Sequence, residues 1–133
     1  MNSPDLVSLA RGAAEGSYSP YSRFRVGSVV VGAKGEIFTG ANVENASYPV
    51  GTCAEANAIT TAVSQGVRQI DKVVVACIDA TSADHAYPCG RCRQIMSEFG
   101  VKKVIVTAGE GSEVREHPLE DLLPHGFGPE DLP

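Results

Sequence analysis

The chain has 133 residues, 43% of them hydrophobic, which suits one domain spanning residues 1–133 with a real core. Its net charge of -5 argues against nonspecific nucleic-acid binding, which depends on Lys and Arg neutralising phosphates. No apolar run reaches membrane-spanning length, and Met1-Asn2-Ser3-Pro4-Asp5-Leu6 has no basic segment leading into an apolar one. The expectation is a cytoplasmic protein without a membrane partner, whose thiols stay reduced.

Ser3-Pro4-Asp5 reads as a helix start, with the Ser3 hydroxyl as cap, proline in the first turn and an acid after it. Leu6, Leu9, Ala10, Ala13 and Ala14 follow at helical spacing, and Gly16 with Ser17-Tyr18-Ser19-Pro20 ends the run. Residues 25–31 are β-branched and apolar, as in a buried strand. A turn over Gly32-Ala33-Lys34-Gly35 returns the chain as a second strand over 36–40, forming a hairpin. Residues 42–52 form a polar loop, and long polar loops in compact domains are often functional.

Residues 53–65 read as a helix that stops at Gly66, with Cys53 at its N-terminus, where the positive end of the dipole favours a thiolate. A third strand runs over 72–78 and a loop over 81–87. A second helix with a cysteine at its start runs over 89–99 and ends at Gly100. A fourth strand covers 103–107, a short fifth 113–116 and a helical turn 119–123, before a Gly- and Pro-rich tail. Strands alternating with helices imply a layered α/β domain, and the opening hairpin implies a mixed sheet.

The chemistry centres on Thr52-Cys53-Ala54-Glu55-Ala56-Asn57 and Pro88-Cys89-Gly90-Arg91-Cys92-Arg93. Cys53, Cys89 and Cys92 are three thiolates for one Zn²⁺, the number that leaves a tetrahedral site open for water. Glu55 lies beside them without being needed as a ligand, so it is a candidate for proton transfer. A closed structural site would need a fourth Cys or His. Cys77 lies mid-strand among Val75, Ala76 and Ile78, a common place for a buried thiol. His85, His117 and His125 read as solvent-facing or as local hydrogen-bonders.

The Cys-Ala-Glu triplet followed by Pro-Cys-x-x-Cys resembles the zinc-dependent nucleoside and nucleotide deaminases. Phe24-Arg25-Val26-Gly27, Asn42-Val43-Glu44-Asn45-Ala46-Ser47-Tyr48 and Phe127-Gly128-Pro129-Glu130-Asp131-Leu132 resemble the short-chain cytidine deaminases in particular. The likeness runs from about Tyr18 to Leu132. It implies a three-layer α/β/α fold with a mixed five-stranded sheet, and one zinc per subunit between the N-termini of two central helices. The implied reaction is deamination of cytidine and 2′-deoxycytidine in pyrimidine salvage, with Glu55 moving protons from water to the pyrimidine N3 and then to the leaving ammonia.

The same resemblance gives the substrate contacts. Phe24 stacks on the base, Asn42 and Glu44 hydrogen-bond base and ribose, and Ala54 offers backbone contacts. Ala46, Tyr48 and Phe127 reach the site of a neighbouring subunit in a homotetramer with shared active sites. Relatives often carry arginine directly after the glutamate, where this chain has Ala56, leaving Arg91, Arg93, Asn57 and the helix N-termini as candidate counter-charges. Three other readings stand beside this one. They are a deaminase of a modified cytosine nucleoside such as blasticidin S, a nucleic-acid editing deaminase, and a non-catalytic zinc module. Negative charge and Glu44, which would repel a 3′-phosphate, oppose the editing enzyme. Glu55 beside an open coordination position opposes the inert module.

Overall fold

The computed structural model describes all 133 residues, Met1–Pro133. Helix α1 (Ser3–Ala14) is followed by strands β1 (Val26–Gly32) and β2 (Ile37–Ala41), then helix α2 (Ala54–Ser64) and strand β3 (Ile70–Cys77). Helix α3 (Gly90–Glu98), strands β4 (Lys103–Thr107) and β5 (Val114–Pro118) and a short helix α4 (Leu119–Leu122) complete the order. The five strands form one sheet in the order β2-β1-β3-β4-β5. Only β3 and β4 run parallel, joined through α3, and the other pairs are antiparallel. This is the mixed five-stranded sheet that the sequence implied.

The cap of α1 differs from the expectation. The side chain of Asn2, one residue earlier, accepts from the Asp5 amide at 3.1 Å, and Ser3 is already helical. The Asn carboxamide reaches the third amide ahead from an extended residue, which is the capping geometry.

Alternation along the strands makes the three layers. Val29, Val74, Ala76 and Ile105 pack with Leu6, Val7 and Ala10 of α1 on one face. Val30, Val73, Val75, Val104 and Val106 pack with Ile59 and Ala62 of α2 and Met96 of α3 on the other. A strand covered on both faces has no polar side to show, which is why residues 73–78 are apolar without a break. Two glycines let the helices approach. A Cβ on Gly27 would stand 2.0 Å from the Ala10 carbonyl, and one on Gly40 would stand 2.6 Å from the Ala58 amide. Gly40 thereby seats α2, and with it Cys53 and Glu55, directly against the hairpin. No helix is long and apolar enough to cross a membrane.

Candidate metal centre and substrate cavity

Cys53 and Cys89 occupy equivalent places, each the residue that precedes the first turn of a helix, α2 and α3 respectively. Both are extended, and neither spends its side chain on a capping bond. Their sulfurs are therefore free to face each other across the gap between the two helix N-termini. Cys92, in the first turn of α3, is fully buried and brings the third sulfur.

The three sulfur atoms lie within 4.8 Å of one another. Hydrogen bonding from Cys92, helped by Cys89 and the Arg91 guanidinium, lowers the Cys53 thiol to about 6. Its bond to Cys53 and burial push the Cys92 thiol in the opposite direction. The two opposed shifts describe one proton shared between the pair of sulfurs. A divalent cation among the three would let all of them ionise. The donor set fits zinc, which takes thiolates at about 2.3 Å. No other group of His, Cys, Asp or Glu side chains in the chain is arranged to hold a metal. Cys77 is not part of this one. It is buried on β3, and desolvation together with nearby Glu55 raises its thiol to about 12.

Glu55 follows Cys53 by two residues in the first turn of α2 and is only 5% exposed. Burial is the main cause that raises its carboxyl from 4.5 to about 7, with the Cys53 charge adding to it. A carboxyl balanced near neutrality beside a metal site is suited to accepting a proton and giving it back.

Two chambers open from this centre, and both are lined by Asn42 and Cys53. The inner one, about 190 Å³, is largely apolar, with Phe24, Ala54, Glu55 and Tyr87 in its walls. The outer one, about 420 Å³, carries Glu44 and Tyr48 together with Tyr21 and Ser22. Phe24, Ala54 and Glu55 are therefore brought around the one chamber and Glu44 and Tyr48 around the other, with Asn42 in the walls of both. Ala46 and Phe127 are not. Both are exposed and line neither chamber of their own chain, and the Phe127 carbonyl is held by Gln94 at 2.8 Å.

The polar residues of the loop are held by partners that the sequence did not reveal. The Asn42 side chain accepts from the Val26 amide at 2.9 Å and donates to the Phe24 carbonyl at 2.9 Å, so it fixes the start of β1 and Phe24 with it. Glu44 accepts from the Tyr21 and Ser22 amides at 3.0 and 3.1 Å and from the Ser22 hydroxyl. The Ser22 bonds hold the Glu44 carboxyl below its ordinary value, so it stays an anion. Tyr21 and Ser22 lie just beyond the Ser17-Tyr18-Ser19-Pro20 segment and carry no motif of their own. The run of serines and tyrosines around Pro20 was the signal that this segment has a polar partner.

The candidate counter-charges also separate. Ala56 is 2% exposed within the core. Asn57 donates to the Ala41 carbonyl at 3.1 Å. Arg93 donates to the Pro88 and Leu122 carbonyls, each at 2.8 Å, and so ties the ligand turn to α4. Arg91 alone of the two arginines acts on Cys53. Arg91→Ala should therefore raise the Cys53 thiol and let protons compete better with zinc. The pH at which zinc is released to a chromogenic chelator should move upward by about 0.2–0.7. That range follows because an exposed ion pair is worth about 0.2–1 kcal/mol and one pH unit about 1.36 kcal/mol.

A trio of thiol ligands and a buried carboxylate at the mouth of an apolar chamber, set in an α/β/α sandwich, define a metal-dependent hydrolase. Comparison with known proteins narrows the class. The profile described as the cytidine and deoxycytidylate deaminase zinc-binding region matches residues 2–108. A cytidine deaminase of Halalkalibacterium halodurans is 38% identical over 128 residues, covering 96% of this chain and 95% of that protein. One from Mycobacterium tuberculosis is 40% identical over 121 residues, covering 91% and 86%. The crystal structure of cytidine deaminase from Burkholderia pseudomallei superposes with a TM-score of 0.88 at 38% identity, over 96% of this chain and 100% of that one. The chain belongs to the cytidine and deoxycytidylate deaminase family, and zinc is the metal of its three-cysteine site.

Proposed function

We propose that residues 1–133 act as a single zinc-dependent cytidine deaminase domain, converting cytidine and 2′-deoxycytidine with water into uridine and 2′-deoxyuridine and releasing ammonia. The observation that carries this reading is Glu55. It is buried beside three clustered cysteines and opens onto an apolar chamber with Phe24 in its wall. Cys53, Cys89 and Cys92 would hold the zinc, which when bound would supply a Lewis acid able to lower the pKa of water from about 15.7 toward about 7.

The chain's own residues do the rest. Phe24 offers a ring face for the pyrimidine, and the Ala54 backbone and Asn42 border the same chamber. Glu55 takes a proton from the attacking water and gives it to N3 of the base. It then takes the remaining water proton, now on the C4 hydroxyl, and delivers it to the departing amino group, so that ammonia leaves and the carbonyl of uracil remains. Glu44, held as an anion, accepts from a ribose hydroxyl because a carboxylate can only accept. The same charge repels a 3′-phosphate, which supports a free nucleoside over a polynucleotide. The relatives described above are cytidine deaminases and give the blasticidin S reading no support. A cytoplasmic enzyme of pyrimidine salvage is the corresponding setting.

The test is ammonia release from the zinc-loaded protein over a panel of cytidine, 2′-deoxycytidine, blasticidin S, deoxycytidylate and a cytosine-containing oligonucleotide. Turnover of the first two above the others is expected. Preference for the oligonucleotide, or inertness throughout, would overturn the proposal.

A homotetramer with shared sites accounts for the apolar side chains left outside. Tyr48 and Phe127 are 74% and 56% exposed, so a neighbouring subunit has aromatic surface to cover. Mixing a Glu55→Gln protein with a Tyr48→Ala,Phe127→Ala protein should restore activity after subunit exchange, because some sites then combine an intact Glu55 with a neighbour's intact aromatics. No recovery despite exchange verified by mass would show that each chain completes its own pocket.

A further inference from the structure

One wall of the inner chamber is held from a distant strand. Tyr87 lines that chamber with Phe24, Glu55 and Cys89, and its ring packs on the larger core cluster. It also stands two residues before the ligand Cys89, separated from it by the buried Pro88. A half-buried tyrosine needs a partner for its hydroxyl. Here the hydroxyl lies 2.7 Å from Nε2 of His117 on β5, and the two rings meet at 5.3 Å and 54°.

Residues two apart on a strand share a face, so Arg115 stands beside His117. Arg115 pairs at 2.8 Å with Asp84, in the one-turn 3-10 segment Ala83–His85. Strand β5 thus grips the segment 84–87 at both ends, and that segment leads straight to Cys89. β5 is an edge strand, exposed at Val114, Glu116 and Pro118 on its other side. Because His117 engages the hydroxyl, the Tyr87 ring has only apolar surface to offer the chamber.

We propose that Tyr87, held by His117, is a positioning residue that sets the chamber wall against the pyrimidine ring, so that β5 governs substrate affinity and not the chemical step. This rests on the cytidine deaminase reading. Tyr87→Phe removes only the hydroxyl, His117→Ala removes its partner at 2.7 Å and leaves it the Arg115 guanidinium alone, and His117→Gln returns a group able to bond it. With zinc loaded, the first two should each raise KM for cytidine about three- to tenfold, the range of one lost hydrogen bond. Their kcat should stay within about twofold. The double variant should be no worse than either single one, and His117→Gln should recover most of the loss. Calorimetric titration of cytidine into proteins that also carry Glu55→Gln should show the same weakening without turnover.

Wild-type KM in Tyr87→Phe, in a protein whose wild type deaminates cytidine, would overturn the inference and leave the enzymatic reading intact. Loss of zinc or of kcat at unchanged KM would also overturn it, since the pair would then only brace the ligand turn. A wild type that neither binds nor deaminates cytidine would overturn the enzymatic reading itself and this inference with it.

Discussion

Glu55→Gln keeps the shape of the chamber and removes the proton carrier, so kcat should fall by at least about 10²–10⁴-fold, the usual worth of one general acid–base group. The upper end is expected because the proposed mechanism routes both transfers through this one carboxylate. Zinc content and the KM for cytidine should change far less, which separates a lost proton relay from a lost pocket. Turnover near the wild-type rate with zinc retained would remove Glu55 from the mechanism.

The same substitution should stabilise the protein when metal is absent. Burial raises the Glu55 carboxyl from 4.5 to about 7 in the folded state, so folding favours its protonated form. A raised folded pKa means that the stability this group contributes is fully present below about 4.5 and is lost as pH rises through about 7. At pH 8 the ionised, buried carboxylate therefore costs at most on the order of 3 kcal/mol, at 1.36 kcal/mol per pH unit. Glutamine carries no such charge. The melting temperature of metal-free Glu55→Gln should exceed that of the metal-free wild type at pH 8, and the gap should close at pH 4. A gap that is constant with pH would mean that the carboxylate is not strained by its surroundings.

Replacing a ligand has the second large effect. Cys53→Ala, Cys89→Ala and Cys92→Ala should each bring zinc from one per chain to near zero after dialysis against a chelator, and abolish turnover. Partners one layer out from a bound metal are worth about 10–100-fold in affinity, and a direct ligand more. Cys77→Ala should leave zinc stoichiometry and kcat alone, because that thiol is buried on β3 and stays protonated. It should lower thermal stability alone. Loss of metal from Cys77→Ala would turn the site into a closed, structural one and end the catalytic reading.

Local signals were enough for much of this. The helices beginning at Cys53 and Cys89 were legible because a stop at Gly66 or Gly100 and a period of 3.6 residues act within one stretch of chain. The strand over 73–78 was legible because a sheet covered on both faces demands unbroken apolar residues, and the ligand set because two motifs supply the three thiolates that an open zinc site needs. The cap at Asn2 was missed by one residue, since neighbouring polar side chains compete for the same amide and only the folded turn selects between them.

By itself, then, the sequence determined the class of fold and the three cysteines that converge, and it singled out Glu55 as the candidate proton carrier. Only the tertiary structure decided who holds them. Asn42 finds Phe24 and Val26, Glu44 finds Ser22, and Tyr87 finds His117, each across a gap that depends on strand order and register. Arg91 acts on Cys53 while Arg93 ties the ligand turn to α4, and no motif separates them. The reason is geometric. Two residues apart on a helix are about 200° apart around its axis, so which arginine meets the sulfurs is set by the rotation at which α3 docks on the sheet.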